Sequence, residues 1–261
     1  MLVRKILIFF FSVIAAALLL FVISLKCNYT PAIIMYHSVN TTGSLNNRLV
    51  VSPATFERQM RFLKERRYNV LPLSELAGLI RDKKKIPPKA VAITFDDGYK
   101  DNYTFAFPIL KKYSLPATIS LIIDEIGRPD RLNWQEISQM SHSRLIEFAS
   151  HCLGPEPLVN LKSDSQVEMQ IYQSKKILEE KLGVKVLTLS YPEGKFNERI
   201  KQLARGAGYS FALATNPGKN YANDDVFALK RLRISENAAN LFVFWAETSG
   251  YYNFIRENRH K

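Results

Sequence analysis

The sequence of 261 residues contains only two cysteines, Cys27 and Cys152. A disulfide between them is possible in an oxidising compartment. We predict two unpaired thiols instead, because Cys27 closely follows an apolar run and Cys152 directly follows a histidine. Neither cysteine has the spacing of a metal-ligand pair or the surroundings of a catalytic nucleophile. We therefore assign no function to either thiol.

The chain also lacks internal repeats, low-complexity tracts and a basic stripe interleaved with aromatic residues. Its 36 lysines and arginines outnumber 24 acidic residues, and the formal net charge is +12. These basic residues are spread along the chain, which argues against nucleic acid as a partner. Such a charge suits attraction to anionic lipid headgroups or anionic wall polymers, or it is simply solvated surface.

The amino terminus has no acidic residue and contains an uncharged apolar run over 6–25, preceded by Arg4 and Lys5. The run is long enough to cross a bilayer as a helix, and the preceding positive charges favour a cytoplasmic amino terminus. We predict a cytoplasmic stub with a signal-anchor helix over 1–26. Cleavage and secretion is the alternative, although no small-x-small site follows the run.

The remainder of the chain predicts one catalytic domain over 33–250, after a linker at 27–32 and before a basic tail at 251–261. Strand-like apolar runs alternate with helical stretches along the chain. Examples of the predicted strands are 90–95 and 117–123, and an example of the predicted helices is 165–182. This alternation is typical of parallel strands joined by crossover helices. The expected fold class is therefore α/β.

Two adjacent carboxylates, Asp96 and Asp97, end the strand-like run 90–95 and precede Gly98. The glycine allows a tight turn that turns both acids toward a common cleft. One carboxylate could bind a cation while the other accepts a proton, so the pair suggests metal-assisted hydrolysis. The simpler alternative is that Asp97 or Asp101 caps the following helix.

Several segments, taken in order, resemble the polysaccharide deacetylases with the NodB-homology domain, and in particular the poly-N-acetylglucosamine deacetylase branch. The similarity covers roughly 33–235. Its segments are Met35-Tyr36-His37-Ser38-Val39, Thr94-Phe95-Asp96-Asp97-Gly98-Tyr99, Asn133-Trp134, Glu147-Phe148-Ala149-Ser150-His151, Ser190-Tyr191-Pro192-Glu193-Gly194 and Leu229-Lys230-Arg231-Leu232-Arg233.

The resemblance implies a distorted (β/α)7 barrel with catalytic residues at the carboxyl ends of the strands. It also implies that Asp96 is the general base, that His37 is the general acid, and that Arg231, with Arg233 in reserve, holds the base carboxylate. The backbone N–H of Glu193, in the loop with Tyr191 and Pro192, would face the oxyanion. Trp134 would stack on a sugar ring or belong to the core.

The implied cofactor is a divalent metal, most commonly zinc, bound by Asp97 and His151. The family's second histidine ligand usually lies four residues after the first, where this chain has Pro155. Some members place that ligand one residue later, and Glu156 could then supply an oxygen. The alternative is that Glu156 is a solvated acid in a turn.

Two functions follow from these residues. The first is a membrane-anchored enzyme outside the cytoplasm that removes acetyl groups from an N-acetylated exopolysaccharide or cell-wall glycan. The second is a family member that binds carbohydrate without turnover, because Pro155 replaces a metal ligand and the metal is lost. The shared presence of His37, Asp96, Asp97 and His151 favours the enzyme.

Overall fold

The computed structural model describes residues 9–14, 16–19, 29–42, 47–215 and 222–258. Within the predicted membrane-crossing run 6–25, the described residues 9–14 and 16–19 are helical, and the rest of the run lies outside the described residues. No helix among the described residues is long and apolar enough to cross a bilayer.

Parallel strands form the centre of the domain, as the alternating pattern predicts. The strands of the main sheet are β1 Ala32–Tyr36, β4 Asn69–Val70, β5 Ala90–Phe95, β6 Ala117–Leu121, β7 Ile146–Ser150, β8 Thr188–Ser190, β9 Phe211–Leu213 and β10 Leu232–Arg233. They lie in the order β10, β1, β5, β6, β7, β8, β9, and β4 pairs with β5. A separate parallel pair joins β2 Ser38–Val39 to β3 Val50–Val51.

The two ends of this sheet are connected by the segment 229–233. Leu229 bridges Leu213 of β9 in parallel, and the Arg231 amide donates to the Thr215 carbonyl at 2.7 Å. Leu232 of β10 then pairs with Ile34 of β1. The seven strands of the main path therefore curl around a common centre, in agreement with the barrel class that the resemblance implies.

Strands β1 and β5 consist mostly of apolar residues because they are covered on both faces. Every residue of β1 and β5 is buried, as expected for strands of a parallel sheet flanked by helices. The helices are α1 Pro53–Glu65, α2 Leu73–Arg81, α3 Phe107–Tyr113, α4 Trp134–His142, α5 Asp164–Leu182, α6 Glu198–Gly206, α7 Leu241–Thr248 and α8 Tyr252–Asn258.

Local sequence sets the ends of the longest helices. Ser52 accepts a hydrogen bond from the Thr55 amide at the start of α1, and Ser163 accepts one from the Gln166 amide at the start of α5. Both are N-cap contacts. Gly183 ends α5 with a φ of 68°, the left-handed conformation that glycine adopts without cost. The predicted helix over 165–182 is therefore confirmed to within one residue.

The predicted basic tail 251–261 contains α8, which contacts the barrel. Glu257 of α8 pairs with the Lys230 ammonium at 2.8 Å, and the Lys230 side chain is almost fully buried. At the other end of the domain's sequence, the Thr30 amide donates to the Gly250 carbonyl at 2.8 Å. The described ends of the domain thus meet beside the barrel.

Candidate active site

The carboxyl ends of β1, β5, β7 and β8 surround a cavity of about 390 Å³. The carboxyl ends of parallel strands all lie at the same end of the barrel, so side chains that follow different strands meet there. Predicted site residues that line the cavity are His37, Asp96, Asp97, His151, Pro192 and Glu193.

Asp96 directly follows β5 and is only 3% exposed. Its carboxylate accepts hydrogen bonds from Arg231 Nη1 at 2.8 Å and Arg231 Nη2 at 2.6 Å. This bidentate pair fixes the orientation of the Asp96 carboxylate and the Arg231 guanidinium. Arg231 comes from the segment that closes the barrel, and its Nε also donates to the Ala214 carbonyl at 3.0 Å.

The charge of this pair decides the protonation state of Asp96. Burial raises the pKa of the Asp96 carboxyl, but the nearby Arg231 guanidinium and the His151 ring outweigh it and hold that pKa well below its usual value. Asp96 is therefore a carboxylate throughout the neutral range and can accept a proton.

Ser190 at the end of β8 completes the surroundings of Asp96, and the sequence patterns did not identify it as a contributor. Its hydroxyl accepts from Arg231 Nη2 at 3.0 Å and lies 3.3 Å from Asp96 Oδ1. The guanidinium that reaches this carboxylate comes from Arg231, and the small Ser190 side chain leaves room for it.

His151 follows β7 and faces Asp97. Its Nδ1 lies 2.8 Å from the Ser190 carbonyl oxygen, and its Nε2 lies 3.4 Å from Asp97 Oδ1. A carbonyl can only accept, so Nδ1 carries a proton and Nε2 is directed toward Asp97. Such a contact to a backbone carbonyl commonly orients a metal-binding histidine.

Burial lowers the pKa of the His151 ring, but the Asp96 and Asp97 carboxylates outweigh that effect and raise this pKa above the ordinary value. The site therefore attracts positive charge at Nε2. A proton or a cation could occupy that side of the ring.

The backbone turns sharply at Asp97 and Gly98, which have φ values of 71° and 63°. A Cβ atom on Gly98 would lie 2.6 Å from Leu121 Cδ2. Glycine is required there by both its φ and the close approach. This turn directs Asp97 toward His151, whereas Asp96 faces the interior.

His37 follows β1 and is held by its own backbone. Its carbonyl accepts from Asn102 Nδ2 at 2.8 Å, and in the described part of the chain the buried Nδ1 has no hydrogen-bond partner. Burial lowers the pKa of His37, partly offset by the Asp96 and Asp97 charges. The ring is therefore neutral at neutral pH and readily gives up a proton that it has gained.

Asp101 supports the loop after His37, a role that the sequence patterns did not identify. It accepts from the Ser38 hydroxyl at 2.5 Å and from the Val39 amide at 3.0 Å. The motif Asp-Gly-Tyr-Lys-Asp-Asn contains Asp101, which the sequence alone suggested only as a possible helix cap. The fold uses it to connect β5 to the segment after β1.

The structure does not bring Glu156 to the other predicted ligands. Glu156 is exposed, and its Oε1 accepts from Asn160 Nδ2 at 2.6 Å. Pro155 lines the cavity but has no ligand atom. Among the described residues, no group of three or more His, Cys, Asp and Glu side chains could hold a metal. Of the three predicted ligands, the structure brings together Asp97 and His151, whose carboxylate oxygen and imidazole nitrogen are donor types that suit a divalent cation.

The turn after β8 forms part of the cavity wall. Pro192–Gly194 forms a short 3-10 turn, in which Glu193 has a φ of 55°. The Glu193 carboxylate pairs with Lys195 at 2.6 Å and is largely exposed, so Glu193 could act on the cavity only through its main chain. Gly194 is required because a Cβ there would lie 2.5 Å from Thr215 Oγ1.

Two predicted substrate contacts lie elsewhere. Tyr191 is fully buried, and its hydroxyl donates to the Phe227 carbonyl at 3.0 Å while its ring stacks on Phe196. Trp134 begins α4 and packs against the core, with Lys181 Nζ 5.8 Å from its ring centroid. Both positions are those of packing residues.

Comparison with known proteins identifies the protein family independently of the site geometry. The family model described as polysaccharide deacetylase matches residues 83–212. The Bacillus subtilis (strain 168) protein YxkH, whose name places it among the polysaccharide deacetylases, is 34% identical over 203 residues, covering 78% of this chain and 71% of YxkH.

Two further proteins are similar over most of the domain. The Staphylococcus aureus (strain N315) poly-beta-1,6-N-acetyl-D-glucosamine N-deacetylase is 27% identical over 230 residues, covering 78% of each chain. The solved structure of the Streptococcus pyogenes deacetylase PplD in complex with acetate has a TM-score of 0.74 and 27% identity, covering 82% of this chain and 97% of that one.

Proposed function

Since the chain belongs to the polysaccharide deacetylase family, we propose that it hydrolyses the acetamido group of an N-acetylated glycan polymer and releases acetate and a free amine. One observation carries the proposal. The ionised Asp96, fixed by Arg231, shares a single cavity with Asp97, His151 and His37. This set supplies a base, a cation-attracting pair and an imidazole around one cavity.

Hydrolysis of an amide needs a deprotonated water, a stabilised oxyanion and a proton for the leaving amine. In the proposed reaction Asp96 accepts a proton from the attacking water as the water oxygen bonds to the acetyl carbon. His37, which has first taken up a proton from solvent, delivers that proton to the nitrogen as the carbon–nitrogen bond breaks. Asp96 then returns its proton to solvent, and both residues regain their starting states. The lowered pKa of His37 favours this delivery, because its imidazolium form readily releases the proton.

The backbone N–H of Glu193 is the proposed donor to the oxyanion. Glu193 lies in the turn on the wall of the cavity that holds Asp96 and Asp97. A donor fixed by a turn costs no reorganisation when negative charge develops on the acetyl oxygen.

Asp97 and His151 are the residues that would hold a divalent metal, with zinc as the proposed ion. Bound there, a metal would lower the pKa of water and polarise the acetyl carbonyl. The fit rests on the orientation of His151 Nε2 toward Asp97 Oδ1. With only these two ligands, we expect weaker binding than at a site with three.

The proposal includes the location and the class of substrate. Arg4 and Lys5 before the apolar run 6–25 support an anchor that places the domain outside the cytoplasm, with secretion after cleavage as the alternative. The similar Staphylococcus aureus enzyme is named for a β-1,6-linked N-acetylglucosamine polymer. A polymer of this kind or an N-acetylated wall glycan is therefore the proposed substrate.

The full-length protein in detergent should be incubated with β-1,6-linked and β-1,4-linked N-acetylglucosamine oligomers in the presence of zinc. We expect free amine and acetate to appear in equal amounts from at least one of them. Asp96→Asn should abolish release, whereas the exposed Asp124→Asn should not. Amine release by Asp96→Asn at the wild-type rate would exclude Asp96 as the base.

A second variant protects this test from misfolding. Asp96→Asn leaves the buried Arg231 without a counter-charge and is expected to reduce stability. His37→Gln removes the proposed acid while leaving that pair intact. We expect a normal thermal melt with a large loss of turnover, and wild-type turnover in this variant would remove His37 from the mechanism.

A further inference from the structure

The amino ends of the strands carry a surface that the proposed reaction does not use. Two adjoining cavities of about 540 and 870 Å³ both include Tyr68, Lys89 and Trp245 in their walls. We refer to this surface as the basic aromatic face and define it by Arg58, Arg66, Lys85, Lys89, Phe242 and Trp245.

This face lies opposite the candidate active site. Lys89 directly precedes β5, whereas Asp96 directly follows it. Asp96 lies seven residues after Lys89, and a strand rises about 3.3 Å per residue, so the two positions are about 23 Å apart. A partner bound at the basic aromatic face would therefore leave the cavity with Asp96 open to a glycan.

The cations of the face are free to attract an anion. In the part of the chain that the structure describes, Arg58, Arg66, Lys85 and Lys89 form no ion pair with a carboxylate. Arg58 donates to the Ala239 carbonyl and Lys89 to the Arg66 carbonyl, which leaves their charge unneutralised. Glu65 is the acidic residue in the walls of the two cavities, and it lies 4.0 Å from Arg61.

Two large apolar side chains project beside these cations. Phe242 is 71% exposed and Trp245 is 49% exposed. Their ring centroids are 5.5 Å apart on the same side of α7. Surfaces that combine exposed aromatic rings with lysine and arginine commonly bind at the headgroup region of a bilayer.

The chain enters the domain at this same face. Tyr29 lines the larger cavity, its hydroxyl accepts from the Ala90 amide at 3.0 Å, and its ring packs against Tyr251 at a centroid distance of 5.8 Å. Tyr29 lies only four positions after Leu25, the end of the apolar run. That length of chain spans at most about 14 Å, so a bilayer holding the run would lie within reach of the face.

We propose that the basic aromatic face docks on the surface of a membrane that contains anionic phospholipids, with the headgroup phosphates at its cations and Phe242 and Trp245 at the interface. Docking would hold the barrel in one orientation, with the catalytic cavity directed away from the bilayer. The proposal goes beyond the deacetylase reaction and does not depend on which glycan is cleaved.

Trp245 provides a direct test, because the chain has only one other tryptophan, Trp134. The full-length Trp134→Phe protein should be reconstituted into vesicles of phosphatidylcholine alone and into vesicles containing a third phosphatidylglycerol. Both should carry nitroxide-labelled lipid near the headgroup. We expect quenching of Trp245 to be roughly twofold greater in the anionic vesicles and to fall to the neutral value in 0.5 M salt.

Charge-reversal variants identify the surface responsible. Arg66→Glu with Lys85→Glu should remove the extra quenching, because it reverses two of the four positive charges of the basic aromatic face. In the described residues neither side chain makes a hydrogen bond, so we expect the double variant to fold normally. Lys162→Glu with Lys176→Glu makes the same change in net charge at other exposed positions and should retain it. Equal quenching in neutral and anionic vesicles, or equal loss in both double variants, would overturn the proposal.

A binding test with soluble polyglycerol phosphate distinguishes a lipid ligand of the face from a wall-polymer ligand. If this polymer shifts Trp245 emission while anionic vesicles do not, the face binds a wall polymer and the membrane proposal is wrong. Deacetylation of soluble oligomers by the Arg66→Glu, Lys85→Glu protein should equal the wild-type rate. A failure at this face and a failure of the deacetylase reaction are therefore distinguishable.

Discussion

The adjacent residues Asp96 and Asp97 have the same side chain and opposite surroundings. Asp96 is enclosed and its carboxylate is bonded to Arg231 and Ser190. The Asp97 side chain is 21% exposed and faces only His151 among the predicted ligands. The Asp96 carboxylate is held by hydrogen bonds, whereas the Asp97 carboxylate is partly exposed to the cavity. A catalytic base needs a fixed position, and a metal ligand needs an oxygen that is free to coordinate. The two halves of the site therefore suit two different tasks.

The largest effect is expected where the enclosed half is broken. Arg231→Leu would leave the buried Asp96 carboxylate without its cation, which typically costs about 3–5 kcal/mol. We expect a large fall in the denaturant midpoint and loss of turnover, measured by urea unfolding and amine release. Arg233→Leu, at an exposed position two residues later, should change stability little. An unchanged midpoint for Arg231→Leu would show that the pair does not stabilise the fold.

Breaking the open half should affect chemistry and not stability. Asp97→Asn keeps the shape of the turn and removes one of the two candidate metal ligands. We expect zinc affinity and turnover to fall by more than roughly 100-fold, beyond the loss seen for outer-sphere residues. The thermal midpoint in the absence of metal should stay near the wild-type value. Retained zinc affinity in calorimetric titration would contradict the assignment of Asp97.

The open half can also be strengthened. Pro155 lines the cavity, and Pro155→His would place an imidazole beside Asp97 and His151. A third ligand should raise zinc affinity by about tenfold or more, as for a complete three-ligand site. Glu156→Gln is the matched control and should change nothing, because Glu156 is bound to Asn160. Weaker zinc binding by Glu156→Gln would instead place that carboxylate at the metal.

Glu247, a partly buried carboxylate, can be compared with Asp96. In the described residues its Oε2 has no hydrogen-bond partner, and burial raises the pKa of Glu247 to about 7. Stability should therefore fall as pH rises from about 4.5 to 7, because the unfolded chain loses this proton first. We expect Glu247→Gln to raise the thermal midpoint by several degrees at pH 8 and not at pH 4.5. Equal shifts at both pH values would contradict the raised pKa.

Much of the fold could be predicted because its signals are local. The run 90–95 is apolar except for Thr94, and a buried parallel strand favours such a run. Gly183 ended α5 because a left-handed C-cap favours glycine. Two-residue strands such as β2 and β3 carry no comparable periodicity and were not predicted. The Asp101 contacts with Ser38 and Val39 were also missed, since they join segments more than sixty residues apart in the sequence.

The sequence by itself determined the order of strands and helices, the family, and the identity of the residues that could carry the chemistry. These depend on local patterns of burial and on short motifs. Tertiary structure decided which of those residues meet. It brought Arg231 and Ser190 to Asp96 and His151 to Asp97, and it directed Glu156 outward and placed Tyr191 in the core. Closure of the barrel sets these distances, because each pair joins strands whose separation in space cannot be read from their separation along the chain.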